Sequence, residues 1–598
     1  MSLVIRIALL RPLTRLDPDR WGPRLAEALV TRSHQVSGLP GSTSRRTAAA
    51  QEALALCRRL AARRPDQHRV ALARALVARA AAPDVVPVAE ASDYLREAIG
   101  YVEDVEGGSE LMVLATARGL LAVQRQRCGE VREALALALR ARAEWDTCGR
   151  LAPLERMRLA QTLLVIGDCQ ETLGRHEEAI TVRRRARALH RDLSIYGRSK
   201  WMSIGATATT ALAQGLTVTG RAREALDLIE ESRVDVEAWS RFQPRQGRLL
   251  LARVMLVEAE CRAQLGDPEA AVRLAEQAVD QQRAMVTAGT PHSGAALPHG
   301  LLVLGNLTTR AGRTDEAAAI LTEAAALARD HDDVLARALF ELLDLRLAAG
   351  DRTAADVLLT EVLSLCRKHA GRLPEVWRPR LARALLIRCT LTVLDLSTST
   401  GPGESAAEAT GRAGTSPVDG PAEDSLTSGG ATGSGTDGLA AGREAVELAR
   451  SLAGADPVYR ELLGRSLFML ARAVNLVGDP RGSGDLLREC VAVRRQLFAV
   501  DPAATRLGLA EALCNLGNRM HALGRLDEAV GIYRECLDLL RADPERIDQA
   551  ELLTPLRNLG RTLWRLDRKD EAALVRDEIE ALEEVVDTSR PGPAPRHG

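Results

Sequence analysis

Apolar residues recur three and four positions apart along almost the whole chain, the spacing that lines one face of an α-helix. Small residues punctuate that pattern at a long, regular interval. A turn of the form Gly-x-x-x-Glu-Ala, or close to it, occurs at Gly129 with Ala134, Gly174 with Ala179, Gly220 with Ala225, Gly266 with Ala271 and Gly312 with Ala317. These glycines stand 45, 46, 46 and 46 residues apart. A weaker copy follows at Gly350 with Ala355. The pattern returns at Gly478, at Gly524 with Ala529 and at Asp567 with Ala572, spaced 46 and then 43. Such a period predicts a row of helix pairs, each burying its apolar side only against its neighbours.

A second small residue precedes each turn by seven positions: Ala122, Gly167, Ala213, Ala259, Gly305, Ala471, Gly517 and Gly560, with Leu343 the exception. Seven residues make two helical turns, so this position returns to the same packing face near the end of the first helix. A small side chain there lets the second helix approach closely. The turn glycine ends the first helix, and the alanine five residues later admits the contact from the other side.

The segment Ala512–Ala529, with Leu516-Gly517 in its first helix and Gly524-Arg-Leu-Asp-Glu-Ala529 at its turn, resembles a tetratricopeptide repeat. Leu559-Gly560 with Asp570-Glu571-Ala572 resembles one as well. The period is longer than usual for that family and closer to the long repeats of the kinesin-light-chain type. The resemblance implies an all-α fold, an α-solenoid of tetratricopeptide-like antiparallel helix pairs, with about 22 to 24 helices and an elongated shape. It also implies a concave face built from the first helix of each pair. In this family the residue after the small position faces that groove, as does the one three further on. The corresponding residues here are Asp168 and Glu171, Asn306 and Thr309, Asn518 and His521, and Arg561 and Trp564. They form the candidate peptide-binding groove.

The repeats divide the chain into degenerate helical repeats over 1–106, a clear solenoid over 107–396 and further repeats over 439–586. Between them, 397–438 is rich in Gly, Ser and Thr and reads as a disordered insertion. It falls inside one repeat: 376–394 reads as a first helix and 439–453 as its second, keeping the solenoid continuous. The tail 587–598 reads as disordered. Proline after aspartate, at Asp456-Pro457, Asp501-Pro502 and Asp543-Pro544, marks places where one helix stops and the next starts.

Composition narrows the function classes. With 80 basic and 80 acidic side chains the net charge is zero, so no global attraction to nucleic acid or an anionic membrane exists. A local patch remains open, and the densest basic run, Arg183, Arg184, Arg185 and Arg187, reads as a solvated helix face. The ten cysteines are scattered without a Cys-x-x-Cys, so neither a disulfide framework nor a zinc cluster is expected. The opening apolar stretch is short and interrupted by Arg6, and no apolar run reaches bilayer length, which points to a cytoplasmic protein. No phosphate-loop, zinc-protease or nucleophile-elbow signature is present, so no catalytic, cofactor or metal residue is expected and the chain reads as a non-enzyme. Gly433-Ser-Gly435 falls in low-complexity sequence, and His292 and His299 read as capping or solvent-facing. The expected partner is a protein or peptide, with self-association open. The leading reading is a scaffold or adaptor. The other is a ligand- or peptide-responsive regulatory subunit of a transcriptional or defence system, acting through a separate effector. A charged stripe on the concave wall would favour a charged peptide.

Overall fold

The computed structural model describes residues 3–34, 42–82, 86–104, 107–193, 198–242, 244–290, 293–399, 433–543 and 547–589. These residues form helices and connecting turns, without a strand among them. The chain divides into two compact units, Met1–Ala355 and Asp356–Gly598. The first holds α1 (Leu3–Leu16), α2 (Pro18–Ser33), α3 (Ser42–Arg63), α4 (Pro65–Ala80), α5 (Val88–Val102), α6 (Gly108–Arg127), α7 (Val131–Thr147) and α8 (Pro153–Thr172). It continues through α9 (His176–Leu193), α10 (Arg198–Val218), α11 (Ala222–Phe242), α12 (Pro244–Gln264), α13 (Pro268–Thr287), α14 (Ser293–Arg310), α15 (Thr314–Leu327) and α16 (Asp332–Ala348). After α17 (Arg352–His369), which crosses the division, the second unit holds α18 (Pro374–Ser399), α19 (Gly433–Ala455), α20 (Arg460–Leu476), α21 (Pro480–Val500), α22 (Pro502–Ala522), α23 (Leu526–Arg541), α24 (Ala550–Arg565) and α25 (Lys569–Ser589).

The architecture is an all-α, solenoid-like series of helix pairs, with 25 α-helices among the described residues rather than the 22 to 24 expected. The extra one is α1, whose Ile7 and Leu10 are buried and pack its apolar stretch into the core of the first unit. The expected disordered insertion and tail lie mostly outside the described residues. On either side of the former, α18 packs directly against α19. Gly433 to Gly435 begin α19 instead of lying in a loop.

One turn chemistry repeats throughout. Gly129, Gly174, Gly220, Gly266, Gly312, Gly350, Gly478 and Gly524 all have positive φ, between 73° and 94°. At Gly174 the amide donates to the Glu171 carbonyl and the Arg175 amide to Gln170, the paired bonds that satisfy the last carbonyls of a helix. Asp567 makes the same bonds at φ 59°, the only positive φ outside glycine among the described residues. Helix starts are equally regular. Asp267, Asp479 and Asp501 each accept an amide hydrogen bond from the residue three positions on, and a proline follows each at the first helical position.

The small position before each turn receives a side chain from the second helix. A Cβ at Gly305 would meet Leu321 at 2.6 Å, one at Gly517 would meet Tyr533 at 2.5 Å, and one at Gly167 would meet Arg183 at 2.9 Å. Leu321, Tyr533 and Arg183 each stand nine residues after their turn glycine. That geometry corrects the reading of the basic run. Arg183 is fully buried, and its neighbours pair outward: Arg184 with Glu224 at 2.8 Å, Arg187 with Glu231 at 2.7 Å, and Arg185 with Asp146.

Within each unit the even-numbered helices approach one another, α8 to α10, α10 to α12, α12 to α14 and α14 to α16 in the first, α18 to α20 and α22 to α24 in the second. Odd-numbered helices reach their odd-numbered neighbours through long Arg–Glu pairs. Arg11–Glu52, Arg283–Glu323, Arg450–Glu489 and Arg495–Glu535 span 2.6, 2.6, 2.6 and 2.7 Å. Close even helices and bridged odd ones place the even helices on the inner wall. No helix among the described residues is long and apolar enough to cross a membrane.

Candidate binding wall

Two recurring positions of the even helices face the inner wall of the first unit. One directly follows the small residue: Asp168, Gln214, Glu260 and Asn306, each 46 residues from the last. The other precedes the small residue by six: Gln161, Thr207, Arg253 and His299 at the same spacing, then Arg337. On a single helix they are seven residues, or about 10.5 Å, apart. The eight at 46-residue spacing are half-buried and Arg337 is exposed. The result is two polar rungs per helix, repeated from α8 to α14.

Most outer-wall charges are paired, whereas several inner ones are not. Glu260, His299, Arg310 and Arg337 make no hydrogen bond or ion pair among the described residues. Arg253 reaches only the neutral Gln214, at 3.3 Å. Asn306 has a buried side-chain oxygen with no donor. These groups still act on one another. Burial pushes the Glu260 carboxyl up to about 7, against the pull of Arg337 and Arg310 and with help from Glu171 on α8. His299 is pushed down to about 4 by burial and by Arg337 and Arg253, against Asp333. It therefore faces inward and stays neutral near neutrality, which corrects its reading as a capping or solvent-facing histidine. His292 lies outside the described residues.

The residues expected in the groove divide by their partners. Asp168 and Glu171 hold the buried Arg183, at 2.8 and 2.6 Å. Burial opposes that guanidinium's charge, but the Glu171 hydrogen bond and Asp168 outweigh it, so its pKa is raised. Thr309 donates back to the Gly305 carbonyl of its own helix. In the second unit Asn518 accepts from Tyr533 at 2.6 Å and from Asn558 at 3.0 Å, and His521 shares a 2.8 Å hydrogen bond with Thr562. Arg561 and Trp564 are exposed, Trp564 by 66%. Arg465 and Arg472 stand at the corresponding inner positions of α20, exposed and without a hydrogen bond or ion pair among the described residues. Asn306, Arg561 and Trp564 thus keep free surface or free hydrogen-bonding capacity, while Asp168, Glu171, Asn518 and His521 brace neighbouring helices.

Sequence reasoning passed over Glu260, Arg253 and Arg337. The same motif rule reaches Glu260 once the alanine at 259 is treated like the glycines at 167 and 305. Arg253 and Arg337 emerge from the position six before it.

Comparison with known proteins agrees with this tetratricopeptide-like repeat fold. The family described as Tetratricopeptide repeat matches residues 509–542. No curated protein sequence matches the chain. Among solved structures it is similar to a Rap protein complexed with competence and sporulation factor, at 12% identity and a TM-score of 0.40, covering 69% of this chain and 98% of that one. It is also similar to NprR in complex with its cognate peptide NprX, at 9% identity and a TM-score of 0.38, covering 54% and 90%. A third is aspartyl phosphate phosphatase F from Bacillus subtilis, at 14% identity and a TM-score of 0.34, covering 54% and 75%. Against the expectation of a non-enzyme, one of these similar structures is of a protein named for a phosphatase activity.

Proposed function

We propose that the chain is a regulatory protein that receives a peptide, or an extended segment of a partner protein, along the inner wall of its even helices. One observation carries this reading. On that wall the buried Asn306 side-chain oxygen has no donor, and Glu260, Arg310 and Arg337 have no hydrogen bond or ion pair among the described residues, whereas outer pairs such as Arg184–Glu224 and Arg283–Glu323 tie neighbouring helices together. Buried polar groups ordinarily find a partner, and an extended backbone supplies donors and acceptors at the spacing of such rungs. A ligand bridging several even helices favours one curvature of the repeat array, and the outer face changes with it. That change would pass occupancy to a separate effector.

The test selects peptides from a displayed random library on the full chain and measures them by calorimetry. Glu260→Gln/Asn306→Ala/Arg337→Gln should weaken the selected peptides by about tenfold or more, while Arg283→Gln/Glu323→Gln on the outer wall leaves them unchanged. Equal affinity for the inner variant and the unaltered chain would place binding elsewhere.

A further inference from the structure

We infer that the outward face of α1 lays the chain against an anionic lipid surface, its aliphatic side chains in the membrane interface and the arginines around them on the headgroups. The site lies apart from the inner wall and does not depend on the peptide-binding reading. α1 is apolar on two opposite faces. Ile7 and Leu10 are buried in the core of the first unit, whereas Val4, Ile5, Leu9 and Leu16 are 57, 52, 52 and 82% exposed. At about 100° per residue these four, with the exposed Ala8 and Pro12, fall within an arc of about 140°. No other helix among the described residues exposes more than one large apolar side chain. The last described helix shows the contrast. At the positions where α23 buries Val530, Tyr533, Leu537 and Leu540, α25 carries Ala573, Arg576, Glu580 and Glu583.

Charge selects the occupant. The chain balances to zero overall, but residues 1–80 hold 15 arginines against five acidic side chains, an excess of ten. α1 itself has Arg6, Arg11 and Arg15 and no acidic residue. Arg11 reaches Glu52 of α3 at 2.6 Å, and Arg59 and Arg63 stand on that same face of α3, seven and eleven residues beyond Glu52. Arg15 and Arg63 are exposed and make no hydrogen bond or ion pair among the described residues. A bilayer with anionic headgroups satisfies both halves of this surface, the aliphatic stripe and the basic surround. A nucleic acid would set the stripe against phosphates. A second copy docked through the same face would bring the arginines of both α1 helices together with no acid between them. Protein partners are gripped mainly by Trp, Tyr and Arg anchors in pockets, and this face is a bare run of aliphatic side chains.

The helix lies on the membrane and does not cross it. Its 14 residues make about 21 Å, short of the ~30 Å of a hydrocarbon core. Pro12, inside the helix, leaves the Ala8 carbonyl without the amide donor of a regular turn, a loss that water at headgroup depth makes good. Arginine stems run beside the stripe while their guanidinium groups reach lipid phosphates. Binding of this kind is reversible and weakens as salt screens the headgroups.

The experiment floats the full chain with vesicles of phosphatidylcholine alone, or of phosphatidylcholine with about 40% phosphatidylglycerol. Recovery with the anionic vesicles should exceed that with the neutral ones by about tenfold at low salt, and fall as salt rises. Ile5→Ser/Leu9→Ser should lower the partition onto anionic vesicles about tenfold, and Arg15→Gln/Arg63→Gln by about the same factor. All four side chains are exposed, so helical circular dichroism and melting temperature should match those of the unaltered chain. Recovery with neither kind of vesicle, equal recovery with both, or anionic recovery that Ile5→Ser/Leu9→Ser leaves unchanged would overturn the inference. Dimers in sedimentation velocity that this double variant abolishes, without vesicle binding, would assign the face to a second copy and overturn the membrane. Capture on polyglutamate but not on vesicles would assign it to an acidic protein, with the same consequence. None of these outcomes bears on peptide binding at the inner wall.

Discussion

The glycines seven positions before the turns look alike in sequence but carry different loads. At Gly517 an added methyl would stand 2.5 Å from Tyr533, a rigid ring held by its hydroxyl bond to Asn518 and fully buried. Nothing there yields cheaply. At Gly560 the nearest atom is a methyl of Val575 at 3.4 Å, an ordinary contact. Gly517→Ala should therefore cost about 1–3 kcal/mol through overpacking. Gly560→Ala should gain up to about 1 kcal/mol from helix propensity. Urea denaturation followed by circular dichroism reads both, and the same sign for the two would show that the close approach at Tyr533 is not what fixes this position as glycine.

Helices and turns were legible because their signals are local: a left-handed turn favours glycine, and a close helix pair favours a small residue at a fixed offset. The wall was legible only in part. Asp168 follows the small position that the period marks, but its commitment to Arg183 depends on a second-helix residue fifteen positions away whose direction the period alone does not reveal. Glu260 was missed because its repeat carries alanine where others carry glycine. The pairing of α18 with α19 was legible because each lacked a partner on its own side, and one of its close contacts is specific. A Cβ at Gly442 would meet Cys389 at 2.8 Å and Leu470 at 3.0 Å. We therefore expect a cut introduced between 401 and 431 to leave two fragments that co-elute in gel filtration, held across α18 and α19. Adding Gly442→Leu should release them. Separation of the fragments without that substitution would mean that this helix pair does not hold once the chain between its members is cut.

Zero net charge conceals buried titratable groups, and these give folding a characteristic pH response. Glu260 holds its proton more tightly when folded, at about 7 against an ordinary 4.5. The stability it contributes is complete below about 4.5 and is lost as pH rises to about 7. His299 runs the other way, at about 4 when folded against 6.5 ordinarily, and so does His34, lowered to about 4 by burial and by Arg158 and Arg46. Their burial in neutral form favours folding above about 6.5 and loses that advantage as pH falls toward 4. Between about 4.5 and 6.5 these slopes oppose each other, so the unaltered first unit shows less pH dependence than the two histidines together would impose. Substitution uncovers them. Relative to the unaltered chain, Glu260→Gln should gain melting temperature steadily from about pH 4.5 to about pH 7. His299→Gln should show its largest relative gain near pH 4 and lose it by about pH 6.5. Scanning calorimetry of the three proteins across that range separates the two titrations. A difference between Glu260→Gln and the unaltered chain that stays constant with pH would show that Glu260 titrates as it would in the unfolded chain, and the inner wall would then be as open to water as the outer one.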